Sequence, residues 1–294
     1  MTEIIATLDD VATRYDVLYC DLWGCVHDGL RAYPAAVAAL ERFRQGGGAV
    51  VLMTNAPRPA PAVQRGFDRL GIPDSAWDVI VTSGDAAQAG MAQGAVGRRV
   101  WHLGPEKDNH FFTDLPADIA AAHPPVERVD FNAAEGIVCT GPFDEARDHP
   151  NDYRGRFLAA KARGLKLLCA NPDIVVDYGE TRIWCAGALA ELYAQMGGES
   201  LYFGKPHPPI YDLARRRLAE RGIAADPDRI LAVGDGINTD IRGGMGEGVD
   251  TLFITGGLMA QEFGADPESP APEALRAWLK TSETPPLMAM GRLR

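Results

Sequence analysis

Six polar residues in four short segments could act on a phosphate ester: Asp21 in Asp21-Leu22-Trp23-Gly24, Thr54-Asn55, Lys205 in Gly204-Lys205-Pro206, and Asp235 and Asp240 in Gly234-Asp235-Gly236-Ile237-Asn238-Thr239-Asp240. A carboxylate such as Asp21 at the end of a buried strand, beside a metal ion, can attack phosphorus and form an acyl phosphate, which splits one difficult displacement into two easier ones. Asp235 sits in a glycine-rich loop that suits a hard cation such as Mg²⁺, which takes one or two carboxylates and leaves room for substrate oxygens. Asp240, five residues further on, would orient a water or Lys205 from behind. Thr54 and Asn55 would offer a hydroxyl and amide N–H groups to phosphoryl oxygens, and Lys205 a positive charge. Each of these residues is common in turns and on surfaces. Only their order along the chain makes them a candidate site.

The elements that must position them are legible as apolar runs separated by turn residues. Val17 to Cys20, Ala49 to Met53 and Ile230 to Val233 read as buried strands, and each ends at one of the polar segments. Helical spacing runs from Ala35 to Phe43, where Gly46-Gly47-Gly48 stops it, and further helices are predicted over Val63 to Leu70, Ala86 to Met91 and Ile210 to Arg221. Strands at Val79 to Val81 and Thr251 to Ile254 complete the alternation of a doubly wound parallel sheet, which binds ligands at the carboxyl edge of its strands. Residues 1–85 and 200–294 would form this Rossmann-like core, resuming at a strand over Leu201 to Phe203. Residues 86–199 would form an inserted α/β cap, with strands at Arg99 to Leu103, Ile137 to Thr140 and Leu165 to Cys169 and a helix over Tyr153 to Arg163. The tail beyond Gly264 is Pro-rich, has one amphipathic patch at Ala274 to Leu279, and carries no readable motif.

Asp-x-x-Gly at 21, Thr-Asn at 54, Gly-Lys-Pro at 204 and Gly-Asp-x-x-x-Thr-Asp at 234 resemble the four motifs of the haloacid dehalogenase superfamily, in its IIA branch of NagD-like and pyridoxal phosphate phosphatases. The resemblance spans nearly the whole chain. It implies Mg²⁺ held by Asp21, Asp235 and the backbone carbonyl of Trp23, a small phosphorylated metabolite as substrate, and pairing of two copies through the cap. Asn171 and Asp173, in Asn171-Pro172-Asp173, fall where that branch carries a cap segment near the substrate.

One position departs from the pattern. Two residues after the nucleophile, most phosphatases of this kind have a second aspartate that protonates the leaving oxygen and then activates water, whereas this chain has Trp23. Indole exchanges no proton near neutral pH, so help of about 10²–10⁴-fold is forfeited unless another group supplies it. His27 and Asp28, just downstream, are candidate substitutes. Without a substitute, the chain would act on leaving groups that need little protonation, transfer the phosphoryl group elsewhere, or bind phosphorylated ligands with weak catalysis. Metal-independent dehalogenases also lack the second aspartate, but retention of Asp235 and Asp240 speaks for a cation. A Schiff-base hydrolase would need a cap lysine, for which Lys107, Lys161 and Lys166 are available.

Composition narrows the partners. A net charge of -11 and a pI near 5.0, with no cluster of Lys and Arg, exclude a nucleic-acid or anionic-membrane surface. No apolar stretch reaches the ~20 residues of a membrane span, no secretory signal opens the chain, and the cytosol is the expected compartment. The five cysteines, Cys20, Cys25, Cys139, Cys169 and Cys185, form no CxxC pair and are expected to be reduced and structural.

Overall fold

The computed structural model describes residues 2–179 and 181–294. Its larger sheet has seven strands: β1 (Glu3–Ile4), β2 (Val17–Cys20), β3 (Ala49–Thr54), β4 (Val79–Thr82), β12 (Ile230–Gly234), β13 (Asp250–Ile254) and β14 (Met288–Met290). They lie in the order β1-β14-β13-β12-β2-β3-β4, all parallel. The chain runs outward from β2 through β3 to β4, then returns on the other side of β2 as β12. Strand order therefore reverses beside β2, the place where such sheets leave a crevice at their carboxyl edge. In register Cys20 faces Val233 and Leu52, so Asp21 emerges between the ends of β12 and β3.

Alternation along the strands feeds two cores. Leu18, Cys20, Val50 and Leu52 pack with Ala36, Leu40 and Phe43 of the helix Pro34–Gln45 on one face. Tyr19, Val51 and Met53 pack with Ile210, Ala214 and Leu218 of the helix Pro208–Glu220 on the other. Buried on both faces, the central strands have to be continuously apolar, and this is what makes them readable. Burial at roughly 25 cal/mol per Å² is the main force fixing where they end, and with it the place of each polar residue that follows.

The smaller sheet comprises β5 (Arg99–Leu103), β6 (Glu127–Arg128), β7 (Gly136–Cys139), β8 (Lys166–Cys169) and β11 (Glu199–Tyr202), in the order β11-β8-β7-β5-β6. The strand expected at Leu201 to Phe203 to reopen the larger sheet belongs here instead: Leu201 pairs with Leu168 and Tyr202 with Cys169. A three-residue apolar run does not say which sheet edge it extends. Its alternating side chains settle the matter, Tyr202 packing under the cap helices and Leu201 against the cluster around Val138 and Leu168. An antiparallel hairpin, β9 (Val175–Tyr178) and β10 (Thr181–Trp184), projects from the cap.

Other differences are local. The helix expected to start at Ala86 starts at Ser83, because the Thr82 hydroxyl accepts the Asp85 N–H and caps it, 2.9 Å. Val63 to Leu70 is two short helices, Ala60–Gln64 and Phe67–Leu70. The tail contributes the edge strand β14 and a helix, Pro272–Leu279, whose Leu275 is buried. No helix among the described residues is long and apolar enough to cross a membrane.

Candidate active site

Lys205 is the centre of the constellation. Its ammonium donates to Asp21 Oδ1 at 2.6 Å, to Asp240 Oδ1 at 2.7 Å and to the Met53 carbonyl at 3.0 Å, so all three donors are used. Burial alone would discharge the lysine, but the opposing charges of Asp21, Asp240 and Asp173 outweigh it and hold the amine charged well past its ordinary range. The backbone beneath is held by Asn55, whose Oδ1 accepts the Lys205 N–H at 2.8 Å and whose Nδ2 donates to the Lys205 carbonyl at 3.1 Å. Motifs some 150 residues apart are thus locked by two hydrogen bonds from one amide.

Asp240 is brought under the site by a wide helical turn at Ile237–Ile241, in which the Gly236 carbonyl accepts from both Asp240 and Ile241. Such turns are frequent at functional sites. The second oxygen of Asp240 accepts the Gly236 N–H at 3.1 Å. Asp240 thus touches Lys205 through one oxygen and its own turn through the other.

Asp235 follows β12 and accepts the Leu258 N–H at 2.7 Å. Two glycines close around it. A Cβ on Gly24 would lie 1.9 Å from its Oδ2, and one on Gly257 2.1 Å away. Gly24 also has φ of +71°, which glycine adopts without strain. Burial and the neighbouring Asp240 push the Asp235 carboxyl up to about 7, and burial with Asp240 and Asp235 nearby pushes Asp21 well above the carboxylate range despite Lys205. Ligand oxygens of Asp21 and Asp235 lie within 4.8 Å of each other and of the Cys25 sulfur. Two buried carboxylates crowded together, in a cradle only glycines permit, fit a divalent cation: the donors are hard oxygens and bound positive charge would relieve their mutual repulsion. Cys25 was missed as a site neighbour. Its only signal is that it stands four residues after Asp21, and all five cysteines are indeed buried and unpaired.

A cavity of about 410 Å³ opens above these groups, lined by Asp21, Trp23, Asp173, Asp235 and Asp240 among others. Thr54, Asn55 and Lys205 sit one layer behind it, each no more than 3% exposed. The Thr54 hydroxyl accepts the Ala56 N–H at 3.1 Å. Hydrogen bonds that hold the cap over the cavity include Asn55 Nδ2 to Asp173 Oδ1 at 2.8 Å, Gly179 N–H to the Asp28 carbonyl at 3.1 Å, and Arg182 to the Leu258 carbonyl at 3.4 Å. The hairpin residues Val175 and Val176 also line the cavity, with Arg292 from the tail, and no motif announced them.

The sequence expectations around Trp23 need correction. The Trp23 ring stands between His27, edge-on with centroids 5.0 Å apart, and Tyr178 at 6.0 Å, forming an aromatic wall. His27 lies behind that wall, 3% exposed, and its Nδ1 accepts the Gly29 N–H at 2.9 Å. Burial lowers its pKa to about 4, so it is neutral at pH 7 and cannot act as the substitute acid. Asp28 reaches the cavity edge, but its Oδ1 caps the Leu30 and Arg31 N–H groups. Partial burial works against ionisation, yet those hydrogen bonds and the Arg31 charge prevail and hold the carboxyl below its ordinary range. An acid that is already ionised has no proton to give.

Asn171 is also a turn former and not a wall of the cavity: its Oδ1 accepts the Asp173 N–H at 3.0 Å. Asp173 alone of that pair faces the cavity. Neither Lys107, ion-paired with Glu145, nor Lys166, ion-paired with Glu199 at 2.8 Å, lines it, and Lys161 lies near Gly197 on the cap. The Schiff-base alternative has no cap lysine at the cavity among the described residues.

Comparison with known proteins gives concordant results. Residues 18–116 match the haloacid dehalogenase-like hydrolase family and residues 202–276 a second family of the same hydrolase-like description. A crystal structure of a hydrolase of the haloacid dehalogenase-like family from Brucella suis is 39% identical, covers 99% of this chain and 100% of its own, and superposes with a TM-score of 0.84. The ribonucleotide monophosphatase NagD of Escherichia coli is 27% identical over 244 residues, 81% of this chain and 87% of that protein. A glycerol phosphate phosphatase from Mycobacterium tuberculosis, crystallised in complex with magnesium, is 25% identical over 84% of this chain and 70% of its own, with a TM-score of 0.61.

Proposed function

Since the chain belongs to the haloacid dehalogenase-like hydrolases, we propose that it is a Mg²⁺-dependent phosphatase of small phosphorylated metabolites that works through an aspartyl phosphate at Asp21. One observation carries this reading: a buried nucleophile candidate, Asp21, shares one fully committed ammonium with Asp240 while its other flank meets Asp235 at the floor of a capped cavity.

Asp21, Asp235 and the Trp23 carbonyl would hold Mg²⁺, which when bound draws charge from phosphoryl oxygens and aligns them with the nucleophile. The rest falls to the protein. Lys205 fixes the Asp21 carboxylate by one oxygen, leaving the other to attack phosphorus, and holds positive charge beside the transition state. Asn55 positions Lys205, and Thr54, one layer behind the cavity, holds its loop by accepting the Ala56 N–H. The hairpin and the wall of Trp23 and Tyr178 keep water out until the first transfer is complete. The substrate would come from the cytosolic pool of small phosphate esters, and two copies would pair through their caps as the branch does.

The test is a phosphometabolite panel, with 4-nitrophenyl phosphate as reporter, assayed with and without Mg²⁺. Turnover that requires Mg²⁺ and is abolished in Asp21→Asn supports the reading. If Mg²⁺ and phosphate raise the melting temperature while nothing turns over, the chain binds phosphorylated ligands without hydrolysing them, an outcome that Trp23 keeps in view.

A further inference from the structure

With Trp23 inert and His27 and Asp28 unable to serve, none of the three residues that the sequence offers beside the nucleophile gives the leaving oxygen a proton. From the geometry we infer that Asp173, delivered by the cap, is the acid and base of the reaction. The inference rests on the phosphatase reading above.

Asp173 follows β8 on a loop that several contacts immobilise. Its own N–H is held by Asn171 Oδ1, its carbonyl accepts the Gly187 N–H at 3.1 Å, and the Asn171 carbonyl accepts the Cys169 thiol at 3.2 Å. Gly187 is obligatory there, since a Cβ would come within 2.2 Å of the Pro172 carbonyl. The loop is thereby pressed against the first turn of the helix Ala186–Gln195, and the carboxyl is aimed across the cavity at Asn55. Oδ1 is taken by Asn55, while Oδ2 has no hydrogen-bond partner among the described residues and so is free to carry a proton, on a residue that lines the cavity. In an in-line displacement the leaving group departs on the side of phosphorus away from Asp21, and Asp173, Val175 and Val176 of the cap line the same cavity as Asp21.

The surroundings favour the protonated form. Burial raises the pKa of Asp173 and Asp240 adds to this, outweighing Lys205 and the Asn55 hydrogen bond. Cys169 and Cys185 behind the loop are neutral thiols whose own ionisation is suppressed by burial.

The steps balance. Asp21 attacks phosphorus, the ester P–O bond breaks, and the leaving oxygen takes its electron pair and the Asp173 proton to depart as an alcohol. The Asp173 carboxylate then takes a proton from water whose oxygen attacks phosphorus. The acyl phosphate P–O bond breaks back to the Asp21 carboxylate, and inorganic phosphate leaves. One ester and one water become one alcohol and one phosphate.

The plain alternative is that Asp173 is a latch that holds the cap to Asn55. Asp173→Asn separates the two, because the amide oxygen can still accept from Asn55 but the group cannot donate an acidic proton; Asp173→Ala removes both functions. The assay compares 4-nitrophenyl phosphate, whose leaving phenolate needs no proton near neutral pH, with the best-cleaved alkyl phosphate of the panel. An acid is expected to show as a loss of about 10²–10⁴-fold in kcat/KM, which reports the steps through ester cleavage, for the alkyl ester in both variants, with less than about tenfold loss in kcat/KM for the nitrophenyl ester in Asp173→Asn. Meanwhile kcat falls for both esters, because they share the acyl phosphate whose hydrolysis needs the base. The inference is overturned if Asp173→Asn keeps wild-type kcat/KM for the alkyl ester, if kcat/KM falls equally for both substrates, or if the wild type cleaves the nitrophenyl ester and no alkyl phosphate. In those three cases the phosphatase reading stands. If the wild type cleaves neither ester, that reading falls and the inference with it.

Discussion

Replacing Lys205 with Met tests whether the buried ammonium is the keystone of the site. Met keeps the length and apolar stem of the side chain but removes the partner of two carboxylates, Asp21 at 2.6 Å and Asp240 at 2.7 Å, in a place where Lys205 is 3% exposed. Breaking a buried pair from one side costs about 3–5 kcal/mol, because the abandoned charge stays out of water. Against a typical folding stability of about 5–15 kcal/mol this is a large fraction. The cost should depend on pH. Burial already raises Asp21 well above the carboxylate range, and without the opposing lysine charge it rises further, so between about pH 4 and that raised value the folded protein holds a proton the unfolded chain has released, and stability falls as pH rises through that window. Urea unfolding of wild type and variant at pH 5 and pH 8 reads this directly: a deficit near 3–5 kcal/mol at pH 8 should shrink at pH 5. Adding Asp240→Asn should recover part of it. A deficit under about 1 kcal/mol at pH 8, or one that is the same at both pH values, would refute the reasoning.

Three further outcomes are expected. Gly257→Ala places a Cβ 2.1 Å from Asp235 Oδ2 and should weaken Mg²⁺ binding about 10–100-fold by calorimetry while the fold persists. Trp23→Asp in the Asp173→Asn background restores a carboxyl two residues after the nucleophile and should return roughly 10²-fold of the lost alkyl phosphate turnover; no recovery would mean that the acid was not what had been removed. Burial lowers His27 to about 4, below its unfolded value of 6.5, so its contribution is complete above pH 6.5 and is lost as pH falls from there toward 4. It is worth roughly 3 kcal/mol at about 1.4 kcal/mol per unit. His27→Asn, which offers an acceptor to Gly29, should flatten the stability curve in that window by about one proton.

The residues legible in sequence were those that strand burial dictates. Val17 to Cys20, Ala49 to Met53 and Ile230 to Val233 are apolar on both faces, and the sheet that this requires carries Asp21, Thr54 and Asp235 to one edge whatever the rest of the chain does. Lys205 and Asp240 followed from motif order, although only the structure shows that all three lysine donors are committed. What was not legible came from long-range packing. Leu201 and Tyr202 extend the cap sheet because of the residues their side chains meet, and β14 is found only once β13 supplies an edge to pair with. His27 and Asp28 looked like acids because sequence gives residue type and not hydration: one is sealed behind Trp23, the other ionised by its own turn. Asp173 falls in a cap segment that the resemblance sets near the substrate, but its bond to Asn55 across the domain junction cannot be read from either motif alone.

The account turns on a covalent bond at one residue. The wild-type protein is mixed with 4-nitrophenyl phosphate and Mg²⁺, quenched in denaturant, reduced with borohydride and digested, and the peptide holding residue 21 is weighed. Conversion of Asp21 to homoserine, dependent on both substrate and Mg²⁺, is the expected result. Steady turnover with residue 21 unmodified, and undiminished turnover in Asp21→Asn, would contradict it.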